Sequence, residues 1–195
     1  MIAVGCIRII LKKGTNMGFD VYGLNPQGKS KPEVIDWNDK ETTKAYFAWQ
    51  ENTEGAYFRN NVWYWRPLWN FICSVCDDIL TDKDIDLGME NSGHIISKTK
   101  SKRIAARLRK IDGDLEDHQI GHERHMNGIP NEDCDICDGT GKRRKAPNTG
   151  AGHVKCNGCD GKGTKRPFET NYPFIADNVR QFERFCDKSG GFEIL

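Results

Sequence analysis

No stretch of this 195-residue chain approaches the ~20 consecutive apolar residues that a membrane-spanning helix needs. It also lacks an excess of charge of one sign. The 29 Lys and Arg stand against 28 Asp and Glu, a formal +1, so no global field draws the protein to nucleic acid or to a membrane, and any electrostatic argument is local. Three common catalytic signatures are missing as well: a phosphate-binding glycine loop, H-E-x-x-H and Gly-x-Ser-x-Gly. An export signal is missing too. In the opening MIAVGCIRIILKKG, Arg8 splits the apolar core, no basic residue precedes it and no small-residue cleavage site follows. The expectation is a cytoplasmic protein with a poorly ordered leader over residues 1–16, and Met17 is a candidate natural start. No catalytic residue is assigned, and the reading leans away from an enzyme.

What the chain has is cysteine in an ordered spacing. Hydrophobic residues make up 37% and charged residues 29%, the balance of a soluble globular protein, and the length suits one domain or a domain with a small insert. Eight cysteines in a secreted chain would suggest disulfides. Six of them, however, fall in C-x-x-C pairs (73/76, 134/137 and 156/159) without an export signal, which favours metal chemistry. Two of the pairs sit in a repeated phrase, CDICDGTG at 134–141 and CNGCDGKG at 156–163. Cys134, Cys137, Cys156 and Cys159 thus have the C-x2-C-x15–20-C-x2-C zinc spacing. Two thiolates three residues apart on a tight turn can face one ion, and two such turns complete a tetrahedron. Gly139, Gly141, Gly161 and Gly163 follow the pairs, where a positive φ lets the chain fold back near the sulfurs.

Seven of the 20 glycines lie in residues 131–168, so this segment is built from turns rather than from an apolar core. Binding of one structural zinc, worth about 10–16 kcal/mol, is expected to fold it. Four thiolates saturate the ion and leave no position for water or substrate, so the zinc reads as scaffold and not as an active centre.

The phrase C-x-x-C-x-G-x-G, over residues 134–164, resembles the cysteine-rich zinc domain of DnaJ-type chaperones. Those carry four such repeats and two zinc ions; the two repeats here imply one zinc. The chain has no His-Pro-Asp signature of a J domain, so the resemblance brings no co-chaperone role with it. The wider layout, from MGFDVYGLNP through YFRNNVWYWRPLWNFI to SGGFEIL, resembles uncharacterised zinc-finger proteins of phages and their bacterial hosts. That resemblance implies a phage-like factor working in the host cytoplasm and brings no established activity.

Periodicity divides the rest of the chain. A helix is expected over residues 39–50, breaking at ENTEG. Pro67 occupies a helix-starting position, with Leu68, Phe71, Ile72, Val75, Cys76 and Ile79 following at helical spacing. GHIIS, residues 93–97, reads as a short strand or extended link. A long amphipathic helix is expected over 101–126, with Ile104, Leu108, Ile111 and Leu115 on one stripe and Gly113 and Gly121 as places for a break. A last helix over 177–187 carries Val179, Phe182 and Phe185, ends at Ser189-Gly190-Gly191, and gives way to FEIL. The expected fold is α+β and helix-rich: a compact body over 17–130, a zinc module inserted at 131–168, and a C-terminal helix and strand over 169–195 packing back on the body.

Outside the four cysteines the candidates are weaker. Ten of the 19 aromatic residues lie between Tyr46 and Phe71 and read first as the core of a small body. The alternative starts from Arg59, Asn60, Asn61 and Arg66, interleaved with Trp63 and Trp65, as rings and donors for a nucleotide-type ligand. Lys142, Arg143, Arg144 and Lys145 lie between the two zinc turns. Eight basic residues against five acidic give residues 131–168 an excess of +3, which a four-thiolate zinc of formal −2 reduces to about +1. A second run places seven basic residues between Lys98 and Lys110, with Lys102, Arg103, Arg107 and Lys110 on one polar side. Both runs read first as solvated faces and second as nucleic-acid contacts.

His118, His122 and His125, spaced i, i+4, i+7, can share a helix face and a metal. Cys73 and Cys76 read as buried helix thiols rather than a second zinc pair. Cys6 and Cys186 have no visible partner, and His94 and His153 carry no assignment.

Three function classes remain. The preferred one is a non-enzymatic zinc protein whose module shapes a surface for a protein or nucleic-acid partner, such as a host factor. The second is a nucleic-acid binder using the two basic runs, separable from the first by its salt dependence. The third is a nucleotide-type binder or enzyme using the aromatic run, which would show as ligand-induced thermal stabilisation.

Overall fold

In a computed structural model the described residues are 18–29, 31–32 and 37–195; the expected leader, the candidate start at Met17 and Cys6 lie outside them. The architecture is mixed α/β and divides into two compact units. One holds the described residues up to Gln119 together with Phe174–Leu195, and the other is Ile120–Pro173.

The larger unit is built on a four-stranded antiparallel sheet. Its strands are β1 (Gly18–Gly23), β2 (Tyr57–Asn61), β3 (His94–Ile96) and the chain's last strand (Phe192–Ile194), in the order β2, β1, last strand, β3. Alternation sets its buried face: Phe19 and Val21 of β1, Phe58 of β2, Ile96 of β3, and Phe192 and Ile194 of the last strand are all buried. Register follows, with Val21 opposite both Phe58 and Ile194. Buried residues of three helices belong to the same core: α2 (Val62–Val75), α4 (Lys98–Lys110) and the last helix (Ala176–Lys188). Each buries a stripe at helical spacing: Trp65, Leu68, Trp69 and Ile72 from α2; Ile104, Ala105 and Leu108 from α4; Val179, Phe182 and Cys186 from the last helix.

Three helix boundaries differ from the sequence reading, each because of a cap. Helix α1 is Lys40–Asn52, opened by Asp39, whose side chain accepts from the Glu41 N–H at 3.0 Å. Helix α2 begins well before Pro67, because Asn61 accepts from the Trp63 and Tyr64 N–H groups at 3.0 and 3.2 Å. Pro67 is therefore inside the helix and not at its start. The expected helix over 101–126 is two helices. Ser97 caps α4, accepting from the Lys100 N–H at 3.3 Å, and so starts it three residues earlier. A 3-10 turn at Asp112–Asp114 contains Gly113 and separates α4 from α5 (Leu115–Gly128), whereas Gly121 stays within α5.

Most charges of helix α4 have partners within the larger unit. Lys102 meets Asp187 at 3.0 Å, Arg103 and Arg107 meet Asp78 at 3.3 and 2.9 Å, Arg109 pairs with Glu183, and Lys100 pairs with Asp84. Five of the seven basic residues of the run thus meet carboxylates of their own unit, with Lys102 and Arg103 still half exposed.

The most buried of those carboxylates is Asp84, the third residue of helix α3 (Asp82–Leu87). It forms a capping box with Thr81, whose N–H and hydroxyl donate to Oδ2 at 2.8 and 2.7 Å, while the His94 ring Nε2 lies 2.9 Å from Oδ1. Burial alone would push the Asp84 carboxyl up. The Lys100 ammonium, the Thr81 donors and the His94 ring outweigh it and hold the carboxyl well below the usual carboxylate range.

A carboxyl lowered in the folded state contributes stability that is present above its unfolded value of about 3.9 and is lost as pH falls through the folded value. The thermal midpoint of this unit, read by tryptophan emission, is expected to drop as pH falls from about 5 toward 2. In Asp84→Asn the drop is expected to be shallower and to start from a lower midpoint. An unchanged profile in that variant would move the acid sensitivity to another group, Asp187 first, which Lys188 and Lys102 hold down at about 2.

Candidate metal centre

Residues 120–173 have no sheet of any size. Two short antiparallel ladders frame the smaller unit: β4 (Glu132–Asp133) with β7 (Thr164–Lys165), and β5 (Lys142–Arg143) with β6 (Val154–Lys155). The centre of this unit is the buried sulfurs of Cys134, Cys137, Cys156 and Cys159, against which Ile136 packs.

The repeated phrase folds into two matching turns. In the first, the Gly139 N–H donates to the Cys134 carbonyl at 3.2 Å and the Gly141 N–H donates to Cys137 Sγ at 3.3 Å. In the second, the Gly161 N–H donates to the Cys156 carbonyl at 2.9 Å and the Gly163 N–H donates to Cys159 Sγ at 3.2 Å. Each turn then closes on the other: the Cys134 N–H donates to the Gly163 carbonyl at 2.8 Å, and the Cys156 N–H to the Gly141 carbonyl at 3.0 Å. The last glycine of each phrase is fixed twice over. Gly141 and Gly163 have φ of +73° and +82°, and a Cβ on either would lie 2.3 Å from a carbonyl oxygen of the opposite turn.

The outcome is a set of four ligand atoms all within 4.8 Å of one another, a group that could hold a metal ion. Cys134 and Cys156 Sγ are 3.8 Å apart, as are Cys137 and Cys159 Sγ. That is far beyond a disulfide bond of about 2.05 Å. It equals the ~3.8 Å edge of a tetrahedron whose centre is about 2.3 Å from each sulfur. Crowding sets the thiols against one another: burial pushes Cys137 up to about 12. At Cys159 the same burial is outweighed by the Gly163 N–H and the neighbouring sulfurs, which hold it down at about 7. A central cation would remove that conflict by allowing all four to ionise together.

The other candidates fall elsewhere. The His118 ring packs between Phe71 and Phe174 at centroid distances of 4.7 and 4.6 Å, and His122 Nε2 lies 2.8 Å from the Tyr172 carbonyl. Two of the three histidines of the i, i+4, i+7 run are thus engaged by different neighbours. Cys73 and Cys76 are on or beside the end of α2, where burial pushes both thiols up to about 12. Cys186 is fully buried in the same unit.

In the aromatic run, Trp65 faces the core and donates from Nε1 to the Gly88 carbonyl at 2.8 Å. Asn61 caps α2, Asn60 donates to Asn178 at 3.0 Å, and Arg59 lies 3.5 Å from Asp20 across the sheet. Trp63 and Arg66 are half-buried on α2. The group is divided between an edge strand, a cap and the core, and the cluster that sequence reasoning missed is Asp84 with His94 and Lys100. Its one sequence signal was the T-x-x-D of the capping box.

No family model, no curated protein and no solved structure matches this chain. The likeness to DnaJ-type zinc domains therefore stands on the two phrases themselves, and that to phage proteins gains nothing here. Among the described residues no helix is long and apolar enough to cross a membrane.

Proposed function

We propose that Cys134, Cys137, Cys156 and Cys159 hold one structural zinc ion, and that the module they organise is a non-catalytic binding surface for a macromolecular partner. The observation that carries this reading is the pair of 3.8 Å sulfur separations within a buried set of four. Four sulfur donors select a soft or borderline cation, and a tetrahedral all-thiolate set is the usual structural zinc site. The two N–H···S bonds support it as well, since donors aimed at thiolates stabilise their charge. Saturation by protein ligands leaves no open position for substrate, which makes the ion's work mechanical.

Elemental analysis of the purified protein is expected to give one zinc per chain. Cobalt exchanged into the site should show the intense sulfur-to-metal charge transfer and the visible bands of a tetrahedral thiolate site. Cys134→Ser and Cys159→Ser should each lose most of the metal. A protein purified under reducing conditions without bound metal, or one whose zinc survives both substitutions, would overturn the assignment.

A further inference from the structure

Charge is sorted within the smaller unit. Residues 139–159 contain five basic side chains and no Asp or Glu. The carboxylates of Glu132, Asp133 and Asp135 gather instead on and beside β4, where Lys165 meets Asp135 at 2.8 Å and Glu132 at 3.7 Å. One ladder thus carries mixed charge with an acidic excess, and the other carries cations alone.

On that second ladder the register sets Lys142 directly opposite Lys155. Residues opposite one another in an antiparallel pair project from the same side with Cβ atoms about 4.5–5.5 Å apart, and like charges there work against the pairing. Both side chains are exposed, and among the described residues neither has an ion-pair partner. Lys155 is also seated: its Cγ and Cε lie 3.3 Å from the point a Cβ would occupy on Gly161, so the bare glycine of the second turn receives its stem. Arg143, on the other side of the ladder, is occupied in scaffolding and donates to Asn157 Oδ1 at 2.7 Å and to the Arg144 carbonyl at 3.0 Å. Arg144 lies beside Gly150, and Lys145, exposed in the same loop, adds a further cation.

We propose that Lys142 and Lys155, with Lys145, form a contact surface for the phosphate backbone of double-stranded nucleic acid, read without regard to sequence. The proposal rests on the structural-metal reading, because the two metal turns hold this ladder. Residues 139–159 contain no Phe, Trp or Tyr, so the stacking platform that single-strand binders use is missing from this surface. Compact ammonium groups suit phosphate oxygens, and a duplex presents one negative charge per ~1.7 Å of its axis, the densest linear array such a cluster meets. The positive charge has one competing use at home, which is to offset the formal −2 of a zinc tetrathiolate.

The test uses the full-length, metal-loaded chain and a labelled ~20-base-pair random-sequence DNA duplex, with anisotropy read at several salt concentrations. Three phosphate contacts predict micromolar binding at low salt and a log–log salt slope of about −3. Lys142→Gln/Lys155→Gln should weaken binding about tenfold or more and flatten the slope by about 2. The charge-matched control Lys44→Gln/Lys83→Gln, in the other unit, should change neither.

The proposal is overturned by flat duplex traces, by an unchanged slope in the lysine pair variant, or by equal binding of a single strand. Tighter binding of poly-glutamate than of duplex also overturns it, in favour of an acidic protein partner. Zinc is measured on every preparation. Loss of zinc from the lysine pair variant overturns the proposal by assigning those lysines to the ion. A wild type that binds duplex with the expected slope yet holds no zinc supports the lysine surface and removes the metal reading instead.

Discussion

Strong chelation is expected to unfold residues 131–168 and to leave the larger unit folded. That segment of the smaller unit has little else to hold it. Its central cluster is four cysteines with Ile136 against them, and its strands are two residues each. Ladders of that length are not stable by themselves in water. Metal binding at a four-thiolate site is worth about 10–16 kcal/mol at neutral pH, which exceeds the whole stability of many domains. Without the ion, four sulfurs only 3.8 Å apart in pairs retain a cluster of buried thiols whose burial raises Cys137 to about 12.

The readout separates the units cleanly, because all five tryptophans, at 37, 49, 63, 65 and 69, belong to the larger one. Tryptophan emission should hold steady on chelation while amide protection across residues 134–163 is lost. Cys156→Ser should reproduce that state without chelator. A red shift of the tryptophan emission at the same chelator concentration would show that the two units fold as one.

The four-cysteine cluster was legible in the sequence because its geometry is local. C-x-x-C sets two sulfurs on one turn, and the trailing glycines permit the positive φ that brings an N–H back to the second sulfur. What could not be read was the reciprocity between the turns. The Cys134 N–H bonded to Gly163 and the Cys156 N–H bonded to Gly141 join residues about 15 to 29 apart, and nothing in the spacing announces the pairing. The helices divide in the same way. Apolar stripes such as Val179, Phe182 and Phe185 located the last helix well, but caps decided the boundaries, and Asn61 outweighed the strong local signal of Pro67.

The basic run of α4 shows the wider limit. Its partners Asp78, Glu183 and Asp187 come from distant segments, so one-dimensional charge counting could not tell a neutralised helix from a phosphate-binding one. His118 is the same case, a possible ligand by spacing that is placed between two phenylalanines by the fold.

Trp65→Ala is expected to destabilise the larger unit by about 3–5 kcal/mol, the usual cost of deleting a buried tryptophan, and to lower its thermal midpoint by roughly 10 °C or more. Trp65 is fully buried, stacks on Phe19 and Trp69 at centroid distances of 5.1 and 5.5 Å, and meets Phe182 edge-on at 5.8 Å. Its removal opens a cavity where sheet, α2 and the last helix converge, and it leaves the Gly88 carbonyl without its indole donor.

Trp65→Phe is the milder arm: it removes the indole donor and one of the two fused rings, so its loss should be smaller than that of Trp65→Ala, with about 1–3 kcal/mol of it from the unsatisfied carbonyl. Arg59→Ala is the contrasting arm. Its side chain is 68% exposed and its pairing with Asp20 at 3.5 Å lies on the surface, so a change within about 1 kcal/mol is expected. If the aromatic run were a nucleotide pocket, the order would reverse: Trp65→Ala would leave the midpoint within a few degrees while abolishing ligand-induced stabilisation. Thermal scans of the three variants, with and without a nucleotide mixture, decide between a core and a pocket.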